Sequence, residues 1–132
     1  MREILFRGKR VRDDMWAYGD LRQLPDQNLY GIMGKKSFTN HEAVYPETVG
    51  QYAGLTDKNG TRIFEGDIIK SKEYGRCQGG KNFSGYDIFE VRFVDGAFVI
   101  RNSDRLFYLL LGADKEVIGN IFENPDLLEV EE

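Results

Sequence analysis

The sequence predicts an all-β protein of short antiparallel strands, and three observations carry that expectation. The first is composition: 132 residues hold seven Tyr, nine Phe and one Trp beside 15 Gly and only 3 Pro. That mixture suits half-buried pleated strands joined by tight turns. The second is the stretch Tyr45 to Lys70, YPETVGQYAGLTDKNGTRIFEGDIIK, which reads as strand, reversal, short extended run, Gly-Asp corner and strand. The third is Asp95-Gly96 between the apolar runs ending at Val94 and starting at Ala97, one of the strongest local hairpin signals.

Within the central stretch, Thr48, Val49, Gln51, Tyr52 and Ala53 form a run that fits a strand. Asp57-Lys58-Asn59-Gly60 supplies the reversal, because Asp bonds the amides ahead of it and Asn-Gly tolerates positive φ. Ile63 and Phe64 are separated from Ile68 and Ile69 by Glu65-Gly66-Asp67, so the backbone is expected to bend at Gly66 between two apolar segments. A corner of this kind commonly opens a strand of a small barrel.

From the N-terminus, Ile4-Leu5-Phe6 predicts an opening strand and Lys9 to Asp14 a polar turn. Met15 to Tyr18 leads to Gly19-Asp20-Leu21, and AYGDL echoes FEGDI some 47 positions later, as a repeated strand-corner unit would. Leu24 to Asn28 has turn chemistry, with Leu29 to Met33 as the return strand. Gly34 to Glu42 is polar and expected as an exposed loop. Glu73 to Tyr86 is rich in Gly and polar residues and is expected to be mobile. Phe89, Val91 and Phe93 alternate with polar neighbours, as in a strand with one buried face. Leu106 to Leu111 is a continuous apolar run, expected either to be buried on both faces or to lie between subunits. Val117 to Phe122 gives a last strand, and Asn124-Pro125-Asp126 begins a short helical turn.

These residues carry a family resemblance. TVGQYAGLTDKNGTRIFEGDII resembles the central signature of the YopX family, and VIGNIFENPDLLE its closing segment; FRGKRV and WAYGDL resemble its N-terminal elements. The resemblance spans nearly the whole chain, with Asn28 to Glu42 and Glu73 to Tyr86 matching least. It implies a mostly β protein of phage or prophage origin with no established activity, and it offers no catalytic residue to carry over.

The length suits one domain over residues 1–132, divisible into an N-terminal β subdomain, 1–55, and a C-terminal small-barrel subdomain, 56–132. One or two small SH3-like barrels are the expected architecture. A formal net charge of -4 argues against nonspecific binding to nucleic acid or anionic membrane. The charge is uneven: Arg2, Arg7, Lys9, Arg10 and Arg12 crowd one end, and Glu123, Asp126, Glu129, Glu131 and Glu132 the other. Solvated faces are the ordinary explanation. Cys77 is the only cysteine, so an intrachain disulfide and a Cys-rich zinc site are ruled out. No apolar run is long enough for a signal peptide or a membrane span. The expected setting is a reducing cytoplasm, that of a bacterial host as the family resemblance implies.

Candidate chemistry fails on spacing. Gly34-Lys35-Lys36-Ser37 lacks the earlier glycine and the following hydroxyl of a phosphate loop. Asp57 to Gly60 resembles the start of a calcium loop, but Arg62 and Ile68 stand where Gly and a bidentate carboxylate belong. Glu65 and Asp67 could pair as carboxylates, although a Gly-Asp corner more often uses its Asp to satisfy turn amides. His41 is the only histidine and has no second histidine or orienting pocket. Cys77 beside Arg76 is an exposed-thiol candidate without a base. Trp16, Tyr18, Tyr30, Tyr52 and Phe64 could stack bases, while core packing is the commoner role for aromatics in strands.

The expected function is therefore a non-enzymatic binding or structural accessory module acting through protein–protein contacts, self-assembly included, with no cofactor or metal. Its interface is expected at Phe107, Leu109, Leu111, Ile118 and Phe122, and Glu65, Gly66 and Asp67 form the structural corner. The alternative is a nucleic-acid-binding accessory factor using Arg7, Lys9, Arg10, Arg12, Lys35, Lys36 and surface aromatics.

Overall fold

The computed structural model describes residues 2–24, 26, 29–34, 41–76, 82–103, 106–109 and 114–128. The chain divides into two compact units, Met1–Gly54 and Leu55–Glu132. Its strand ladders are antiparallel, and no α-helix occurs among the described residues.

The N-terminal unit contains β1 (Phe6–Lys9), β2 (Trp16–Leu24), β3 (Leu29–Met33), β4 (His41–Ala43) and most of β5 (Gly50–Thr56). Their order in the sheet is β4-β3-β2-β1-β5. The polar turn before β2 is closed by local chemistry: Asp14 N–H donates to the Arg10 carbonyl at 2.9 Å, and Met15 N–H donates to Asp13 Oδ1 at 3.0 Å. Asp14 takes φ of 60° there, a conformation Asp tolerates better than most residues.

Strand β2 serves two neighbours in succession, pairing with β1 from Trp16 to Gly19 and with β3 from Asp20 to Leu24. Gly19 sits at the handover. A Cβ on it would lie 2.0 Å from the Met33 carbonyl oxygen, so the close approach of the two backbones requires glycine. The echo between AYGDL and FEGDI therefore does not mark a repeated corner. Gly19 is mid-strand, whereas Gly66 lies in a turn at φ 92°.

Beyond β4, Val44 bridges back to Arg10, flanked by Val11 N–H to the Ala43 carbonyl at 3.0 Å and Tyr45 N–H to the Lys9 carbonyl at 2.9 Å. The sheet thus curls on itself, but through one isolated bridge and not a strand ladder. No closed barrel is found among the described residues, so the two sheets do not establish the expected SH3-like closure. Thr48 was expected to open a strand and instead ends a 3-10 turn, Pro46–Thr48. Pro46 fixes φ at the start of that turn, and Thr48 Oγ1 accepts from Lys9 N–H at 2.9 Å while donating to the Tyr45 carbonyl at 2.6 Å. Leu5, Ile32 and Val44 are the buried apolar residues of this unit.

The C-terminal unit contains β6 (Arg62–Phe64), β7 (Asp67–Arg76), β8 (Asn82–Val94), β9 (Ala97–Arg101), β10 (Leu106–Tyr108) and β11 (Asp114–Asn120). Five of these form a sheet ordered β10-β9-β8-β7-β11. Register places Val117, Ile69 and Phe89 in one row and Val91, Ile100 and Phe107 in another. Ile69, Phe89, Val91 and Ile100 are fully buried, and they make the core face of the sheet. Phe107 meets Phe89 edge-on at 5.9 Å between ring centroids. The expected one-sided burial of Phe89, Val91 and Phe93 ends before Phe93, which is 50% exposed and packs edge-on against Phe98 at 5.0 Å.

The hairpin at Asp95-Gly96 joins β8 to β9, with both residues at positive φ (51° and 82°), the pattern a two-residue turn of matching twist requires. The loop expected from Glu73 to Tyr86 is corrected. β7 and β8 continue as a ladder to Arg76 opposite Asn82, because paired backbone groups can hold a strand whose side chains show no apolar pattern. Cys77 and its neighbours up to residue 81 lie outside the described residues. The chain closes with amides of Phe122 and Glu123 on Asn120 Oδ1, at 3.0 and 2.9 Å, followed by a 3-10 turn at Pro125–Leu128.

Candidate functional site

The Gly-Asp corner is built from backbone bonds. Gly66 N–H donates to the Val91 carbonyl at 2.8 Å, and the Gly66 carbonyl accepts from Ile121 N–H at 2.9 Å. Asp67, 2% exposed, turns its Oδ2 onto Phe64 N–H at 2.7 Å. Its carboxylate faces inward onto the turn while Glu65 is half-buried, so the structure does not bring the two together as an open carboxylate pair. Among the described residues, no group of three or more His, Cys, Asp or Glu side chains could hold a metal ion.

Asp57 does more than the sequence suggested. Its Oδ1 accepts from Asn59 and Thr61 amides at 2.8 and 2.9 Å, and its Oδ2 accepts from Val117 N–H at 2.9 Å. Burial alone pushes this carboxyl up. The bonds from Val117, Thr61 and Asn59, with the Lys58 charge, outweigh burial and hold it below the usual carboxylate range. Lys58 N–H also donates to the Lys115 carbonyl at 3.0 Å, and Lys58 Nζ lies 3.8 and 4.0 Å from the Asp114 and Glu116 carboxylates. The Asp57 turn therefore occupies the outer edge of β11, whose pairing with β7 is also broken by a register shift between Val117 and Gly119.

The basic residues of the N-terminal unit are engaged with their own neighbours. Arg7 is buried, with its guanidinium 4.4 Å from the Trp16 ring centroid, and Lys9 Nζ lies 5.6 Å from the same ring. Arg10 pairs with Asp13, whose carboxyl that hydrogen bond holds low. Arg12 grips Glu42 through a fork of 3.0 and 3.1 Å. Lys35 and Lys36 lie outside the described residues. Each arginine of the basic cluster in this unit's turn thus has a carboxylate beside it, which removes much of the charge a phosphate backbone would use. Trp16 packs against cations, and Tyr18 is 51% exposed.

The apolar segments expected to form an interface are placed differently from one another. Phe107 is half-buried and Leu109 is buried, Leu111 lies outside the described residues, and Ile118 and Phe122 are half-buried. Strands β10 and β11 stand at opposite edges of the sheet, so these residues do not line one edge. The exposed members of the run are Leu106 and Tyr108, at 60% and 68%. Of the two expectations for this run, burial on both faces is corrected: Leu106 and Tyr108 are exposed, and among the described residues β10 is the outermost strand, with no strand beyond it. The only sequence signal was the uncharged, unbroken character of the run itself.

Register fixes which backbone groups of β10 face outward. Leu109 N–H donates to the Phe98 carbonyl at 3.0 Å, and Phe107 stands opposite Ile100. Antiparallel ladders alternate bonded and non-bonded pairs, so Phe107 and Leu109 bond inward to β9. The N–H and C=O groups of Leu106 and Tyr108 then point away from the sheet. Beside this edge, opposite Leu106, Arg101 Nε donates to Glu90 Oε1 at 3.0 Å and Arg92 approaches the same carboxylate at 3.6 Å. Glu90, Arg101, Asn102, Ser103 and Leu128 line a shallow cleft of about 290 Å³.

The comparisons with known proteins agree with this architecture and add no chemistry. The family described as YopX protein matches residues 5–129. No curated protein matches the chain. A solved structure of protein EF1440 from Enterococcus faecalis is similar at 24% identity and a TM-score of 0.57, covering 98% of this chain and 100% of its own. At that identity the likeness speaks for the fold alone.

Proposed function

The chain belongs to the YopX family, and from that premise we propose a non-enzymatic binding module that works through protein–protein contacts of its C-terminal unit. One observation carries the reading: the sheet ends on β10, where Leu106 and Tyr108 expose both apolar side chains and outward-facing backbone groups. Such an edge favours pairing with another chain, and soluble proteins ordinarily blunt it with charges, bulges or a covering segment. Here the opposite edge, β11, is blunted in those ways by the Asp57 turn, the register shift and the Lys58 ion pairs. Strand β10 carries no charged residue and no proline.

The wider reading is of a phage or prophage accessory protein in the bacterial cytoplasm, as the family resemblance implies. The curl of the N-terminal sheet through the Arg10–Val44 bridge supports a small SH3-like barrel left incompletely closed. The test is capture with the tagged full chain from lysate of a host carrying its gene, followed by mass spectrometry, with Tyr108→Pro run in parallel. A near-stoichiometric partner is expected, retained after nuclease treatment and lost with the variant. Capture unaffected by Tyr108→Pro, or abolished by nuclease, would overturn the reading.

A further inference from the structure

We propose that the occupant of the β10 edge is a second copy of this chain, paired antiparallel about a two-fold axis at Phe107. The proposal rests on the protein-binding reading above and names its partner. Three features of the edge carry it.

First, the edge is self-complementary. The outward-facing residues are Leu106 and Tyr108, symmetric about Phe107, so the two-fold sets Leu106 of one copy opposite Tyr108 of the other. Each outward N–H then meets an outward C=O, and every exposed donor of the strand finds an acceptor. On the same face, each exposed Tyr108 ring covers an exposed Leu106 side chain, as cross-strand aromatic–aliphatic pairs do.

Second, the paired strands themselves bring no like charges together. Strand β10 is uncharged, and among the described residues Arg101, opposite Leu106 on β9, has Glu90 beside it. Two chains of net charge -4 therefore meet along an uncharged strand.

Third, the pairing must stop at two. A β10 edge could otherwise join a β11 edge head to tail and grow into a filament. The β11 edge is already occupied, since Val117 N–H is bound by Asp57 and the Lys115 carbonyl by Lys58 N–H. Of the two edges of this sheet, the isologous β10–β10 contact remains, and it closes.

A strand of three residues gives a small interface, at the weak end of the range where stable complexes bury roughly 1,200–2,000 Å². The dimer is accordingly reversible. Sedimentation of the full chain from about 1 μM to about 1 mM should show the mass rise toward twice the monomer value, the range where weak interfaces of this size associate. Tyr108→Pro removes an outward N–H and the ring that would cover Leu106 of the other copy, and spares the ladder to β9; it should stay monomeric throughout while keeping the wild-type circular dichroism.

Leu106→Lys and Tyr108→Glu provide a second, register-specific readout. Mixed together, they set Lys opposite Glu across the two-fold, so the mixture should associate more strongly than either variant alone. A wild-type chain that remains monomeric at the highest concentration overturns the dimer. If Tyr108-dependent capture of another protein persists in that case, the binding reading stands and only the identity of the partner falls. A dimer undiminished by Tyr108→Pro overturns the β10 seam itself.

Discussion

Asp57→Ala is expected to destabilise the C-terminal unit by about 2–4 kcal/mol, read as a lower urea midpoint. The reason is the number of donors that share one buried acceptor. Asn59, Thr61 and Val117 amides all end on this one carboxylate through part-buried bonds, and a fully buried donor left unmatched would cost roughly 1–3 kcal/mol. Exposure to water at the turn recovers part of that, so the total falls below the simple sum. Exchange of the Val117 amide should accelerate with it, because its acceptor is gone. Asp57→Asn is the milder variant: it keeps one acceptor oxygen but turns an NH2 group toward one set of donors.

The same residue predicts a pH dependence with a definite sign. The folded chain holds the Asp57 carboxyl below its usual range, while in the unfolded chain it titrates near about 3.9. A depressed folded value means that the ionised form is favoured by folding. Its contribution is therefore complete above about pH 4–5 and is lost as pH falls through the folded value. The acid limb of the wild-type stability curve should be steeper than that of Asp57→Asn. Superimposable limbs would mean that Asp57 does not hold β11.

Gly19→Ala should disrupt the N-terminal unit more severely, by about 3 kcal/mol or more, at the severe end of steric overpacking. The added Cβ would lie 2.0 Å from the Met33 carbonyl oxygen, 2.8 Å from its carbonyl carbon and 3.3 Å from Ile32 Cγ2. The first two are backbone atoms, so no rotamer change relieves the clash and β2 and β3 must separate. Trp16, the single tryptophan, lies at the start of the same strand. Its emission should shift to the red in the variant and its unfolding midpoint should fall. A wild-type midpoint would show that the two strands are not held as close as the register requires.

What could be read from the sequence was local. Asp95-Gly96 and Asp57 to Gly60 turned where expected because their conformational preferences lie within a few residues. The 3-10 turn at Pro125–Leu128 followed from Pro after Asn in the same way. What could not be read depended on strand order. AYGDL and FEGDI share a pattern, yet Gly19 is set by the approach of β3 and Gly66 by bonds to Val91 and Ile121. The ladder extending β7 and β8 toward Arg76 and Asn82 is a backbone feature with no side-chain period to announce it. The apolar run from Leu106 fitted either a core strand or one between subunits, and its composition does not reveal that it lies outside β9 with Leu106 and Tyr108 exposed. Arg7, Arg10 and Arg12 read as a solvated face, with a basic strip as the alternative, and it took the fold to bring Trp16, Asp13 and Glu42 against them.

Of the two edges of the C-terminal sheet, β11 is covered by the Asp57 turn and β10 is proposed to be open for pairing. Residue-resolved amide exchange at low protein concentration tests this most directly. Slow exchange is expected at Phe107 and Leu109, fast exchange at Leu106 and Tyr108, and protection of that second pair as concentration rises. Slow exchange at Leu106 and Tyr108 in the monomer would instead show the edge already covered, leaving no open strand to pair.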